Sequence, residues 1–269
     1  MSTVRTTTLK VLIAAGFIWA VAVAGLLLFR HQLIYPFRDW PRADQVSGLP
    51  GAWAHSFPAA DGTKLIAWRV APKAGNPVVL YFMGNAGSLP SAAPRLAEFV
   101  HRGYGVVALN YRGAGGMPGE PSQDALTADA LAAYDLAAES GPPILYGTSL
   151  GAAVAVQVAV RRPAKAVILE TPFARLCETA EHHYPLIPAC LVMWDETWES
   201  AARIGEITAP LLIQHGDADR LIPFSQGEAL FEAATEPKQM IVYPGGRHND
   251  LRLHGAGSDA IDFVEGLTE

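Results

Sequence analysis

Gly147-Thr148-Ser149-Leu150-Gly151 sets a serine between two glycines, directly after the apolar run Ile144-Leu145-Tyr146 and directly before the small-residue stretch Ala152 to Val160. A G-x-S-x-G joining a strand to a helix holds its serine on a sharp, strained turn with the hydroxyl exposed above a sheet. The chemistry this permits is nucleophilic attack on a carbonyl, provided a base takes the hydroxyl proton. The amide of Leu150, at the start of the expected helix, points where negative charge develops on a tetrahedral intermediate. Such a donor contributes roughly 3 to 4 kcal/mol in acyl transfer.

Eight histidines are present. His31 and His55 precede the expected sheet, His101 ends an expected helix, His182 and His183 fall in a long aromatic segment, and His215 closes a strand. His248 lies in Gly245-Gly246-Arg247-His248-Asn249-Asp250, after the strand Gln239 to Tyr243 and before the last helix, so it follows the serine in chain order as a triad base does on this kind of scaffold. His254 is its rival. The acid that orients the imidazole must lie between them, in His215-Gly216-Asp217-Ala218-Asp219-Arg220. Asp217 and Asp219 both satisfy that order, and position does not separate them, although Asp217 beside Gly216 is also an ordinary turn pair. A second oxyanion donor is expected after an early strand, and Phe82-Met83-Gly84-Asn85-Ala86-Gly87 has the glycines for close backbone approach. The amide of Asn85 is the candidate. Asn110-Tyr111-Arg112-Gly113 reads as structural.

These residues need a scaffold that brings loop ends together. Short β-rich runs at Lys64 to Val70, Pro77 to Met83, Gly105 to Asn110, Pro143 to Tyr146, Lys165 to Leu169, Leu211 to Gln214 and Gln239 to Tyr243 alternate with helical stretches. The latter include Ser91 to Val100, Asp124 to Glu139, Gln226 to Ala234 and Asp259 to Leu267. Such alternation predicts an α/β fold with a mostly parallel central sheet covered by helices on both faces. Pro172 to Ile207 is too long for a simple crossover. It is expected either to form a small helical insertion over the carboxyl edge of the sheet, walling a substrate pocket, or to be an aromatic-rich part of the core.

From Val11 to Phe29 no side chain is charged, which matches the roughly 20 residues of a membrane-crossing helix. Residues 1–30 are therefore expected to be an uncleaved anchor, residues 31–51 a proline-containing linker, and residues 52–269 one catalytic domain with its insertion at about 173–207. Ala22-Val23-Ala24 resembles a cleavage site, but the apolar run continues past it. Arg5 and Lys10 before the segment, and Arg30, Arg38 and Arg42 after it, leave little asymmetry to set its orientation. The net charge of −6 and the absence of a Lys/Arg cluster argue against a nucleic-acid partner. Cys177 and Cys190 have no zinc-site spacing; they pair as one disulfide or stand as two small buried hydrophobes.

Taken together, Gly84-Asn85-Ala86-Gly87, Asn110-Tyr111-Arg112-Gly113, Gly147-Thr148-Ser149-Leu150-Gly151, Thr171-Pro172-Phe173, His215-Gly216-Asp217-Ala218-Asp219 and, more weakly, Leu33-Ile34-Tyr35-Pro36 resemble the α/β-hydrolase superfamily. The resemblance is specifically to its single-pass, membrane-anchored members. It implies a triad of Ser149, Asp219 and His248, because in relatives the acid closes a His-Gly-x-x-Asp segment, and it implies oxyanion amides at Asn85 and Leu150. Relatives usually carry His where this chain has Met83. The backbone supplies that hydrogen bond, so activity is expected to survive the difference. The expected activity is cofactor-free serine hydrolysis of esters or thioesters of membrane-derived acyl groups. Alternatives are a peptidase or acyltransferase on the same machinery, or a non-catalytic membrane-tethered scaffold.

Overall fold

The computed structural model describes residues 2–85 and 87–267. Ala86 of the expected oxyanion loop, and the side chain of Arg5, lie outside the described residues. Helix α1 (Ser2–Ile34) opens the chain. At 1.5 Å per residue its 33 residues extend about 50 Å, more than the hydrocarbon thickness of roughly 30 Å. Its stretch Thr7–Ile34, with a mean hydropathy of 2.6 in its most apolar window, is long and apolar enough to cross a membrane. Residues 35–52 then run over the domain without helix or strand, fastened by Gly115 N donating to Arg38 O and Ala43 N donating to Gly115 O. The indole of Trp68 also donates to Ala43 O at 2.8 Å.

The remaining elements, in chain order, are β1 (Trp53–Pro58), β2 (Lys64–Val70), β3 (Val78–Phe82), α2 (Leu89–His101), β4 (Gly105–Asn110), α3 (Gln123–Ala137), β5 (Ile144–Thr148), α4 (Leu150–Ala159) and β6 (Ala166–Glu170). After them come α5 (Leu176–His183), α6 (Ala189–Val192), β7 (Leu211–Gly216), α7 (Phe224–Ala233), β8 (Lys238–Tyr243) and α8 (Ala256–Gly266). The strands form one sheet in the order β1-β2-β4-β3-β5-β6-β7-β8. From β4 through β8 every neighbouring pair is parallel, while β1, β2 and β4 pair antiparallel. The expected α/β architecture with helices and a helical insertion is what forms. The strands β4, β6 and β7 are buried throughout, which is why they read as the apolar runs Val106 to Leu109, Ala166 to Leu169 and Leu211 to Ile213 rather than as alternating ones, with polar residues only at their carboxyl ends.

β1 is a strand that sequence patterning did not single out. It lies at the sheet edge with one partner, is partly exposed along its length, and ends in Pro58. An edge strand needs little apolar patterning, so its sequence carries little signal. In the insertion, α5 and α6 are joined by a Cys177–Cys190 disulfide, so the two cysteines pair. Trp198 is fully buried while Tyr184 and Trp194 are exposed, so the segment contributes to the core, and its Leu176, Ala180 and Val192 border a cavity that also reaches Ser149.

Candidate active site

The parallel register sets β3, β5, β7 and β8 with their carboxyl ends at one edge of the sheet, and the segments that leave them carry Asn85, Ser149 and Leu150, Asp219, and His248. Ser149 stands between β5 and α4 at φ 54°, ψ −118°, a conformation that costs a non-glycine residue about 1 to 3 kcal/mol. The turn is over-determined. Ser149 N donates to Glu170 O and Ala152 N to Ser149 O, each at 2.9 Å. A Cβ on Gly147 would lie 2.1 Å from Gly151 O, and one on Gly151 would lie 2.0 Å from Phe82 O. Only glycine at both positions lets α4 start this close to β3 and β5. Leu150 is the first residue of α4, where amides lack intrahelical partners. Gly84 closes the site from above: a Cβ there would sit 3.3 Å from that of Ser149. Its neighbour Asn85 borders the same space and donates its side-chain amide to Ile34 O, at the end of α1, at 3.3 Å.

His248 and Asp219 converge from the loops after β8 and β7. His248 Nδ1 lies 2.8 Å from Asp219 Oδ2, both residues being buried. Asp219 Oδ1 accepts from the amides of Leu221 and Ile222 at 2.8 and 2.9 Å. Burial alone would raise its pKa, but hydrogen bonds from His215, His248 and the Ile222 amide outweigh that and hold it below the usual carboxylate range. With Asp219 ionised, His248 donates to it from Nδ1, and in the neutral imidazole that tautomer leaves Nε2 as the acceptor; His248 borders the same cavity as Ser149.

The two aspartates part company here. Asp217 is exposed, and its carboxylate accepts from Gly245 N at 2.7 Å, clamping one loop to the next. His254 lies in a 3₁₀ turn, 3.8 Å from Asp250, and does not border the Ser149 cavity. His215, passed over as a strand-end residue, is fully buried beneath Asp219. Its Nε2 lies 3.1 Å from Ile222 O and 3.5 Å from Asp219 Oδ2. The spacing of His-Gly-x-x-Asp was the available sign that this ring supports the acid.

A second group went unseen in the sequence. Arg95 of α2 donates to Glu170 at 2.5 Å, Glu170 accepts from Tyr146 at 2.5 Å, and Tyr81 lies 3.2 Å from Thr148 Oγ1. Burial lowers the Arg95 pKa, but Glu170, Tyr146 and Tyr81 together outweigh it and raise the pKa, so the guanidinium stays charged. Burial also raises the Tyr146 and Tyr81 hydroxyls. This network lies under the serine turn. No short-range pattern marks it, because its members come from four elements.

Two cavities meet at Ser149. One, of about 390 Å³, is bordered by polar groups including Ser91, Arg95, Asn249 and Arg252. The other, of about 580 Å³, is predominantly apolar and reaches from Ser149 and Asn85 beneath the insertion. Neither shows a cluster of metal-ligating side chains, and none occurs elsewhere among the described residues.

A sequence profile for the family described as serine aminopeptidase, S33, matches residues 76–198 and 182–252, spanning Asn85 and its loop, the serine turn, the insertion, Asp219 and His248. The chain belongs to this family of α/β hydrolases. Among relatives of this α/β hydrolase, the uncharacterized protein Rv2307c of Mycobacterium tuberculosis is 36% identical over 245 residues, covering 87% of each chain. The lysophosphatidylserine lipase ABHD12 of Danio rerio is 32% identical over 224 residues, covering 71% of this chain and 56% of that one. In three dimensions it is similar to a bacterial membrane phospholipase A, with a TM-score of 0.66, 17% identity and full coverage of both chains. It is also similar to the α/β hydrolase GrgF of a Penicillium species, with a TM-score of 0.67, 16% identity and coverage of 80% and 98%. At such identities the structural likeness speaks for the fold. The relatives support a hydrolase.

Proposed function

We propose that this α/β hydrolase is a membrane-anchored serine hydrolase that cleaves ester or thioester bonds of membrane-derived acyl groups through an acyl-serine intermediate. The observation that carries the reading is the His248–Asp219 hydrogen bond at 2.8 Å, with His248 bordering the same cavity as the strained Ser149 turn. Ser149 Oγ attacks the carbonyl carbon while His248 Nε2 takes the hydroxyl proton, and Asp219 stabilises the imidazolium. The oxyanion is held by the amides of Leu150 and Asn85. Collapse breaks the ester bond, and the leaving alkoxide or thiolate receives the proton from His248. Water, deprotonated by the same imidazole, then attacks the acyl-serine, and the carboxylate product leaves with Ser149 restored.

Several features support a lipid-derived substrate. α1 is long and apolar enough to hold the domain at a bilayer. The apolar cavity suits an acyl chain and the polar one a hydrophilic leaving group. A relative is named as a lysophosphatidylserine lipase, and a structural neighbour as a membrane phospholipase A. Amide hydrolysis is the second reading, favoured by the family's description as serine aminopeptidase. The test is hydrolysis of p-nitrophenyl esters of graded chain length, beside aminoacyl p-nitroanilides, by wild type and Ser149→Ala. Ester turnover lost in Ser149→Ala is expected. Anilide turnover without ester turnover selects the peptidase. If neither substrate is turned over and an organophosphorus probe leaves Ser149 unlabelled, the chain is a scaffold.

A further inference from the structure

An anchor that merely tethers a domain has no need to touch its active site, yet α1 is docked along its last four turns. Arg30 forms a two-pronged ion pair with Asp195, with Nε at 3.0 Å from Oδ1 and Nη2 at 2.5 Å from Oδ2, and its guanidinium lies 4.9 Å from the centre of the Trp194 ring. Nearer the N-terminus, the Trp19 indole donates to Leu186 O at 2.6 Å. At the helix end, buried Tyr35 donates to Glu196 and accepts from Trp198 Nε1 at 2.9 Å. Asn85 of the oxyanion loop holds Ile34 O.

The apolar cavity fills the space this docking encloses. Ala22, Leu26 and Leu33 of α1 form one wall, and Leu176, Ala180 and Val192 of the insertion form the other. Ala22 to Ile34 covers twelve steps of helix, about 18 Å at 1.5 Å each, and both residues border the cavity that also reaches Ser149. The far wall therefore lies inside the uncharged stretch Val11 to Phe29. The Trp19–Leu186 hydrogen bond holds the insertion at that same level. There the insertion turns apolar side chains outward: Leu186 is 79% exposed and Leu191 77%, with Tyr184 and Trp194 beside them. With α1 in a bilayer, Trp19 near the middle of the uncharged stretch sets Leu186 within the acyl region, where exposed leucines gain, while Trp194 beside Arg30 lies towards the interface, where aromatic residues are at home.

We propose that α1 and the insertion together form an acyl-chain site loaded sideways from the bilayer, with the anchor helix as a wall of the site and Ser149 at its domain end. The assignment rests on the reading of Ser149 as an acyl-transfer nucleophile and of α1 as a membrane span. It implies that the anchor sets chain-length preference.

The experiment uses the full chain in phosphatidylcholine vesicles and reads the ratio of kcat/KM for p-nitrophenyl laurate to that for p-nitrophenyl acetate. Ala22→Trp and Leu26→Trp fill the cavity and are expected to lower the ratio at least tenfold, since losing about two buried methylene contacts suffices for that. Leu26→Ala, which cannot clash, is expected to lower it severalfold by lost contact. Ile13→Trp, on an exposed part of α1 away from the cavity, is expected to leave it unchanged. Leu186→Glu combined with Leu191→Glu is expected to lower it by hindering loading. Wild-type turnover with the ratio unmoved by the Ala22 and Leu26 variants overturns the α1 wall while leaving the hydrolase reading intact. Acetate turnover without laurate turnover overturns the acyl site, and an unmoved ratio in the double glutamate variant overturns loading from the bilayer. Wild type inert towards both esters overturns the ester-hydrolase reading and this assignment with it.

Discussion

Replacing Asp219 by Asn keeps the shape of the side chain and changes only what it can donate and accept. Oδ1 receives two amides, from Leu221 and Ile222, at 2.8 and 2.9 Å. An asparagine must turn its carbonyl oxygen to that pair, because its NH₂ would face two donors. The NH₂ then points at His248 Nδ1, where the carboxylate accepted at 2.8 Å. To accept from it, the imidazole must move its proton to Nε2, and the nitrogen meant to take the Ser149 proton now carries one. The expected result is a fall in kcat of about 10³ to 10⁴, or roughly 4 to 5.5 kcal/mol in the barrier at 1.36 kcal/mol per tenfold. The assay is hydrolysis of p-nitrophenyl butyrate, with thermal melting to show that the variant is folded. Asp217→Asn is the control. Among the described residues Asp217 holds only the Gly245 amide through its side chain, and it is exposed, so its loss is expected to change kcat by less than about threefold. A folded Asp219→Asn within tenfold of wild type, or an equal loss in Asp217→Asn, refutes the assignment of the acid.

The same carboxylate makes stability depend on acid. Because its folded pKa is depressed, the stability it contributes is fully present above its unfolded value of about 3.9 and is lost as pH falls through that value towards the folded one. The difference in Tm between wild type and Asp219→Asn is therefore expected to shrink below about pH 4, and a constant difference from pH 7 to pH 3 counts against the depressed pKa. Gly151→Ala sets a methyl 2.0 Å from Phe82 O and 2.5 Å from Phe82 C, both backbone atoms, and is expected to destabilise by at least about 3 kcal/mol, read as lost folded yield or a lowered Tm. The Cys177–Cys190 bridge joins residues 13 positions apart and is expected to contribute up to about 3 kcal/mol. Replacing both cysteines by alanine should lower Tm, and mass spectrometry after alkylation of denatured chain should find two adducts with prior reduction and none without it.

Much of this protein is decided locally. Gly147 and Gly151 mark the serine turn because only residues without a Cβ allow a helix to begin against a strand so closely, and that rule acts within five positions. The interior parallel strands announce themselves because burial on both faces demands apolar runs, whereas the edge strand Trp53–Pro58, with one partner and an exposed face, makes no such demand and passes unnoticed. The order of serine, acid and histidine along the chain follows from the order of the strands that present them.

Convergence between distant side chains is a different matter. By position Asp217 and Asp219 were equivalent, and only the resemblance preferred the second; the tertiary structure turns Asp219 inward to His248 and His215 and Asp217 outward to Gly245. The ion pair of Arg95 with Glu170 beneath the serine turn joins residues 75 positions apart, and the two walls of the apolar cavity join residue 22 to residue 192. Such pairings depend on how neighbouring strands are registered and how α1 and the insertion are set against the sheet, which is a property of the packed whole. Chain order and turn chemistry determine which residues are available. The angles and distances of packing decide which of them meet.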